Sequence, residues 1–243
     1  MKMKNGIYQK PLFRIAGDRG LLAEYGNIID PDINARVRSV AIAITKEPPV
    51  GVLEIIPSYR SLVIIYDPFC TTISALKDAL LAIEERISEI KIPPPETVEI
   101  PVCYGHEFGP DIEFVAGTHD LTADDVVKIH SDPLYPIYMI GFTPGFPFLG
   151  GLSERLHTPR LATPRTSVPA GSVGIANNQT GIYPITSPGG WQIIGRTPLK
   201  LFGPERSNPF LLKAGDMLKF KPVPLEEFHS LAEKDRKGEF PRS

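Results

Sequence analysis

Short apolar runs and helical stripes alternate along the first hundred residues. Leu12 to Ala16 and Leu21 to Tyr25 flank Gly17-Asp18-Arg19-Gly20, a pattern that predicts a β-hairpin. Ile33, Val37, Val40, Ala41 and Ile44 then recur at helical spacing. Asp30-Pro31 ahead of them offers an N-cap and a first-turn proline, and Pro48-Pro49 stops the helix. Val52 to Ile56 and Leu62 to Tyr66, joined by Pro57-Ser58-Tyr59-Arg60, predict a second hairpin. A second helix is expected from a Thr71 or Thr72 cap to about Ile90, with Ile73, Leu76, Leu80, Ile83 and Ile87 as its stripe. The order ββαββα describes a sheet with helices on one face, an α+β sandwich.

Lys91-Ile92-Pro93-Pro94-Pro95-Glu96 reads as a stiff polyproline connector. The expected domains are therefore 1–94, 95–224 and a polar, exposed C-terminal helix and tail over 225–243. Thr122-Ala123-Asp124-Asp125 resembles a capping box that opens a short helix to about His130. Beyond it, β-rich runs at 137–142, 172–176, 181–185, 191–195, 199–202 and 217–221 are separated by Gly, Pro and Asn turns. Such regular short strands predict a β-barrel or sandwich.

Composition refines this picture. The 243 residues include 26 prolines, roughly twice the usual share, yet 42% are hydrophobic and 22% charged. That balance excludes a disordered chain. A net charge of −2 gives no electrostatic reason for nucleic acid or an anionic membrane as partner. The uncharged stretch Tyr135 to Gly151 is broken by Pro136, Pro144, Gly145 and Pro147, so it is no spanning helix. The basic start Met1-Lys2-Met3-Lys4-Asn5 lacks an apolar sequel, so a secretory signal is not expected. Two cysteines, Cys70 and Cys103, form no framework and fit a cytoplasmic protein. The two thiols read as inert, the alternative being a Cys70 whose pKa is lowered by its place near a helix start.

Candidate chemistry lies in proline-rich segments of the second half. No Walker loop, G-x-G-x-x-G or Gly-x-Ser-x-Gly occurs, and the five histidines lack metal-ligand spacing. Gly141-Phe142-Thr143-Pro144-Gly145-Phe146-Pro147-Phe148-Leu149-Gly150-Gly151 is a rigid aromatic loop that either walls a pocket or plugs a barrel end. His157-Thr158-Pro159-Arg160 and Thr163-Pro164-Arg165 place two guanidinium forks after fixed prolines, either for anion recognition or simply solvated. An extended chain holds these arginines about 16 Å apart, so they share one anion only if the loop folds back. Val168 to Ala176 with Gln179-Thr180-Gly181-Ile182-Tyr183-Pro184 offers polar side chains between apolar strands, either to hold a neutral polar substrate by its edges or simply as tight strand turns. Ser187-Pro188-Gly189-Gly190-Trp191 carries the single tryptophan, as ligand contact or core residue, and Arg196 is a further anion fork.

These segments resemble the signature of the allophanate hydrolase subunit 1 family, which includes the B subunit of 5-oxoprolinase and the sporulation kinase inhibitor. The resemblance runs closely over 97–222, through Ile100-Pro101-Val102-Cys103-Tyr104-Gly105, Phe108-Gly109-Pro110-Asp111, the 141–151 loop, Val168 to Ala176, Gln179 to Pro184, Ser187 to Trp191, Ile194 to Pro198 and Ala214-Gly215-Asp216. It implies an α/β sandwich domain followed by a cyclophilin-like β-barrel. It also implies two kinds of partner. One is a homologous barrel subunit, of the type of the 5-oxoprolinase C subunit or allophanate hydrolase subunit 2, and the other is the 5-oxoprolinase A subunit. The implied activity is ATP-dependent opening of 5-oxoproline to glutamate, with Mg-ATP bound by the complex. Inhibition of a histidine kinase and a carboxyltransferase-like role on urea or allophanate are the alternatives within the same resemblance. A lactam amide needs its carbonyl activated, which calls for anion-stabilising donors. On that reading Arg160, Arg165 and Arg196 meet carboxylate or phosphate. Gln179, Thr180 and Tyr183 hold the lactam edge, and Phe142, Phe146 and Trp191 exclude water. His157 is then the acid or base.

Overall fold

Asp30 opens the first helix as its chemistry dictates: its Oδ1 accepts from the backbone N–H groups of Asp32 at 2.8 Å and Ile33 at 3.2 Å. The computed structural model describes residues 6–90 and 92–238, the side chain of Ser88 excepted. The basic N-terminal residues 1–5, Lys91 of the proline connector and the tail 239–243 lie outside the described residues. Contacts divide the chain into two compact units, Met1–Pro94 and Pro95–Ser243.

In the first unit, strands β1 (Ile7–Ile15), β2 (Gly20–Gly26), β3 (Val52–Pro57) and β4 (Ser61–Tyr66) form an antiparallel sheet in the order β1-β2-β4-β3. Helices α1 (Pro31–Lys46) and α2 (Ile73–Glu85) supply the rest of its core. Leu21, Ala23 and Tyr25 of β2 and Leu62, Ile64 and Tyr66 of β4 alternate inward. They pack with the α1 stripe of Ile33, Val37, Val40 and Ile44 and with Leu76, Leu80 and Ile83 of α2. The second helix stops at Glu85, short of Ile90. A separate 3₁₀ turn over Ile87–Glu89 continues the apolar stripe without continuing the α-helix.

The second unit is built on a seven-stranded sheet. Its strands are β5 (Thr97–Tyr104), β6 (Tyr135–Ile140), β7 (Pro147–Leu149), β9 (Ser172–Ala176), β10 (Gln179–Ile182), β12 (Gln192–Arg196) and β13 (Met217–Pro222). Their order is β10-β9-β12-β5-β13-β6-β7, and the outer strands β10 and β7 lie against each other, so the sheet is a nearly closed barrel. β5 sits at its centre, parallel to β13 and antiparallel to β12. Strands β8 (Arg165–Val168) and β11 (Ser187–Gly189) form a small separate ribbon. Inside the barrel Ile100, Val102, Ile137, Val173, Ile175, Ile182, Ile194 and Leu218 make one cluster.

Helices α3 (Ile112–Thr118) and α4 (Ala123–Ser131) pack on β12 and β13 respectively. The Thr122–Asp125 capping box forms as its residues require, and α3 is an element that the hydrophobic pattern did not announce. The run 199–202 is not a strand of the sheet. Leu199 and Leu201 are buried, while Leu201 and Gly203 bond locally to Leu211 and Pro209 in a turn of their own. The C-terminal helix α5 (Leu225–Lys237) is polar, yet it is docked and not exposed throughout. Phe228 is buried against Phe108, with ring centroids 4.4 Å apart, and beside Cys103 and Val223. Asp235 accepts from the backbone N–H of Lys200 and from Arg206 Nη2. Among the described residues no helix is long and apolar enough to cross a membrane.

Candidate functional site

Three rings meet edge to face beside the small β8–β11 ribbon. Phe146, Tyr183 and Trp191 have pairwise centroid distances of 5.8–6.2 Å and interplanar angles of 79–90°. Phe148 and Phe142 extend the cluster from Phe146, at 5.1 Å and 6.2 Å. Phe146 and Tyr183 are buried and Trp191 is half-buried. Phe142 stands 88% exposed at the loop tip, with a left-handed φ of 66°. The backbone of Gly189 passes directly over the Tyr183 phenol, and a Cβ on it would lie 2.3 Å from the hydroxyl oxygen.

The arginine loop is laced onto the residues around Trp191. Gln192 Nε2 donates to the Pro159 carbonyl at 2.9 Å, and Leu161 N–H donates to Gly190 O at 2.8 Å. Arg165 Nη1 donates to Trp191 O at 3.2 Å, and its Nη2 pairs with Asp111 Oδ1 at 2.7 Å. The loop is thus held at Pro159, Leu161 and Arg165 to the backbone and side chain of residues 190–192. Burial pushes the Tyr183 phenol above its ordinary pKa, while a backbone hydrogen bond at Trp191 and the charges of Arg160 and Arg165 pull the other way. Two guanidinium charges thus act on one phenol at the rim of an aromatic wall.

The other residues singled out from the sequence are placed elsewhere. Arg196 lies at the far end of β12 from Trp191, five residues on and about 16 Å along an extended strand. Its Nε donates to Ala170 O and its guanidinium carbon sits 5.9 Å over the Phe108 ring. Thr180 points into the barrel, where its hydroxyl donates to Gly174 O at 3.0 Å and meets His130 Nε2 at 2.8 Å. Strand alternation explains this: Thr180 and Ile182 face inward, which turns Gly181 and Tyr183 outward. Half-buried Gln179 begins the same strand. His157 Nε2 lies 3.3 Å from the Leu152 carbonyl, a bond that holds its own loop. Cys70 does precede the α2 cap, but its thiol lies 3.5 Å from Asp67 Oδ2, and that hydrogen bond raises its pKa. Both cysteines are free thiols.

Residues missed from the sequence complete the arrangement. Asp111 and Gln192 hold the arginine loop, and their only sequence cue was their place beside the Gly-Pro and Gly-Gly-Trp steps. His130 sits fully buried between Tyr104 and Thr180, although its helix was foreseen. A cleft of about 620 Å³ opens elsewhere, in the first unit, lined by Ala43, Ala79 and Ile83 with Lys46 and Arg86. It contains none of the candidate site residues named from the sequence.

Residues 11–212 match the family model described as the carboxyltransferase domain, subdomain C and D. The chain is 44% identical over 227 residues to the B subunit of 5-oxoprolinase from Bacillus subtilis (strain 168), covering 89% of this chain and 95% of that protein. It is 47% identical over 171 residues to the B subunit of 5-oxoprolinase from Haemophilus influenzae, covering 70% and 78%. Among solved structures, the crystal structure of TTHA0988 superposes with a TM-score of 0.75 at 37% identity, over 85% of this chain. The chain spans only 40% of TTHA0988.

Proposed function

The chain belongs to the carboxyltransferase-domain family, subdomain C and D, and from that premise we propose that it is one subunit of a 5-oxoprolinase-type complex. The complex opens the lactam of 5-oxoproline to L-glutamate with ATP, in the cytoplasm. Its other members are a homologous barrel subunit of the C type and an A subunit. The observation that carries the reading is Arg165, bonded to the Trp191 carbonyl beside the aromatic rings of Trp191 and Tyr183, with the charge of exposed Arg160 also acting on the Tyr183 phenol.

The substrate fits that pairing. 5-Oxoproline has a carboxylate for a guanidinium fork and a flat lactam ring for an aromatic wall. Arg160 and Arg165 hold the carboxylate, the Tyr183 hydroxyl and Gln179 side chain meet the lactam edge, and Phe146 with Trp191 excludes water. ATP and Mg²⁺, bound by the assembled complex, supply the activation of the lactam carbonyl. Among the described residues no group of three or more His, Cys, Asp or Glu is placed to hold a metal ion. In this reading the assembled complex holds the nucleotide, and this chain's own residues bind and orient the substrate.

The test is 5-oxoproline-dependent ATP hydrolysis by the complex, assembled with and without this chain. An inactive complete complex, or activity that survives omission of the chain, overturns the proposal.

A second reading takes Phe142, with its exposed ring at the end of the aromatic loop, as a protein contact. On it the chain binds a sensor histidine kinase and blocks autophosphorylation. Kinase autophosphorylation unchanged by excess protein would sink that reading.

A further inference from the structure

Asp111 stands 54 residues before Arg165 and 82 before Ile193, yet its carboxylate bonds to both. Oδ1 accepts from Arg165 Nη2 at 2.7 Å, and Oδ2 accepts from the Ile193 backbone N–H at 2.6 Å. The Asp111 backbone N–H returns a bond to the Ile193 carbonyl at 2.9 Å. Residue 111 is thus paired with β12 through main chain and side chain together. The segment leading to it is shaped for this approach. Gly105 N–H donates to Ile194 O at 3.0 Å, and a Cβ on Gly109 would lie 2.1 Å from that same oxygen. Only glycine lets the turn lie so close to the strand. The Asp111 side chain is 12% exposed and that of Arg165 31%, so the pair is shielded on the carboxylate side and open on the guanidinium side.

We propose that Asp111 is the positioning residue of this site, locking the Arg165 guanidinium to the backbone that carries Trp191, so that anion fork and aromatic wall keep a fixed spacing. The inference rests on the reading that Arg165 meets the substrate carboxylate. It also sharpens the substrate class. Arg160 and Arg165 bring two positive charges and Asp111 one negative, which leaves a single net positive charge. That balance suits a monoanion with one carboxylate better than a multiply charged phosphate ester. A neutral acceptor does not replace Asp111, because both of its oxygens face N–H donors. An asparagine there turns an NH₂ group toward one of them.

The experiment compares wild type, Asp111→Asn, Arg165→Ala and the double variant. KM and kcat for L-5-oxoproline are measured in the complex with its partner subunits. Acrylamide quenching of Trp191 emission is measured in the full chain alone, which has no other tryptophan. Asp111→Asn is expected to raise KM about tenfold with kcat nearly unchanged, and to increase quenching. The double variant should have the KM of Arg165→Ala, since Asp111 acts through that arginine; a purely structural role would give additive losses instead. Wild-type KM and quenching in Asp111→Asn, or additivity in the double variant, overturns the proposal. A wild-type KM in Arg165→Ala sinks the substrate reading instead, and the quenching result then decides the Asp111 lock by itself. If Asp111→Asn does not fold, Asp111→Glu keeps the charge on a longer stem. It should still raise KM and quenching, and wild-type values for both overturn the proposal.

Discussion

The hydroxyl of Tyr104 donates to Nδ1 of His130 at 2.8 Å in the interior of the barrel. With the Thr180 hydroxyl committed to Gly174 O, Nε2–H of the same ring donates to Thr180 Oγ1 at 2.8 Å. Every polar atom of the imidazole is therefore used by the neutral ring, and Phe220 stacks against it at 4.4 Å.

Burial lowers the pKa of His130 to about 3, against 6.5 for the exposed side chain. The folded-state value lies below the unfolded one, so on acidification the unfolded chain takes up this proton first. The contribution of neutral His130 is complete above pH 6.5 and is lost as pH falls from there toward 3, by up to about 1.4 kcal/mol per pH unit. Urea denaturation at pH 7 and pH 5 should show this loss. His130→Leu should be less stable at pH 7 by about 1–3 kcal/mol for each orphaned partner, with a shallower pH dependence. An unchanged slope in that variant would show that His130 is not the source.

Gly189→Ala puts a methyl group 2.3 Å from the Tyr183 hydroxyl oxygen. The phenol must move and disturb its edge contact with Trp191. A cost of about 1–3 kcal/mol in thermal stability is expected, with a shift in Trp191 emission. An emission spectrum identical to wild type would place the strain elsewhere.

Removing the two arginines should have unequal effects. Arg165 is half-buried and held by Asp111, so Arg165→Ala should weaken 5-oxoproline binding by about 2 kcal/mol, read as KM in the complex. Arg160 is exposed and its contact is screened, so Arg160→Ala should cost less than about 1 kcal/mol. The reverse order would mean that Arg160 closes over the ligand.

Asp30→Ala removes the acceptor for two backbone N–H groups at the start of α1. A loss of about 1 kcal/mol in chemical denaturation is expected, and Asp30→Ser should recover most of it. Equal loss in both variants would point away from capping.

The helices of the first unit were legible because their signals are local. The stripe of Ile33, Val37, Val40 and Ile44 and its Asp30 cap lie within one stretch of chain. The strand Ser172–Ala176 was equally plain, an apolar run closed by Asn177-Asn178. Parallel pairing of β5 with β13 was not, since it joins residues some 120 positions apart and leaves no mark on either. Helix α3 escaped notice because seven residues, one of them Gly117, carry too little periodicity. The aromatic loop and the arginines announced themselves by residue type. Their convergence depends on Leu161 and Gln192 hydrogen bonds to distant backbone, and Thr180 was misplaced because strand register decides which neighbour turns outward.

The lacing of residues 159–165 onto Gly190, Trp191 and Gln192 also bears on the thermodynamics of binding. Loop residues that already hold fixed backbone partners lose little conformational freedom when a ligand arrives. The entropy of ordering that loop is settled when the chain folds, so a substrate bound as proposed would enter a seat formed beforehand. Association then needs no loop closure, and the heat released on binding reports the new polar contacts almost undiluted by ordering.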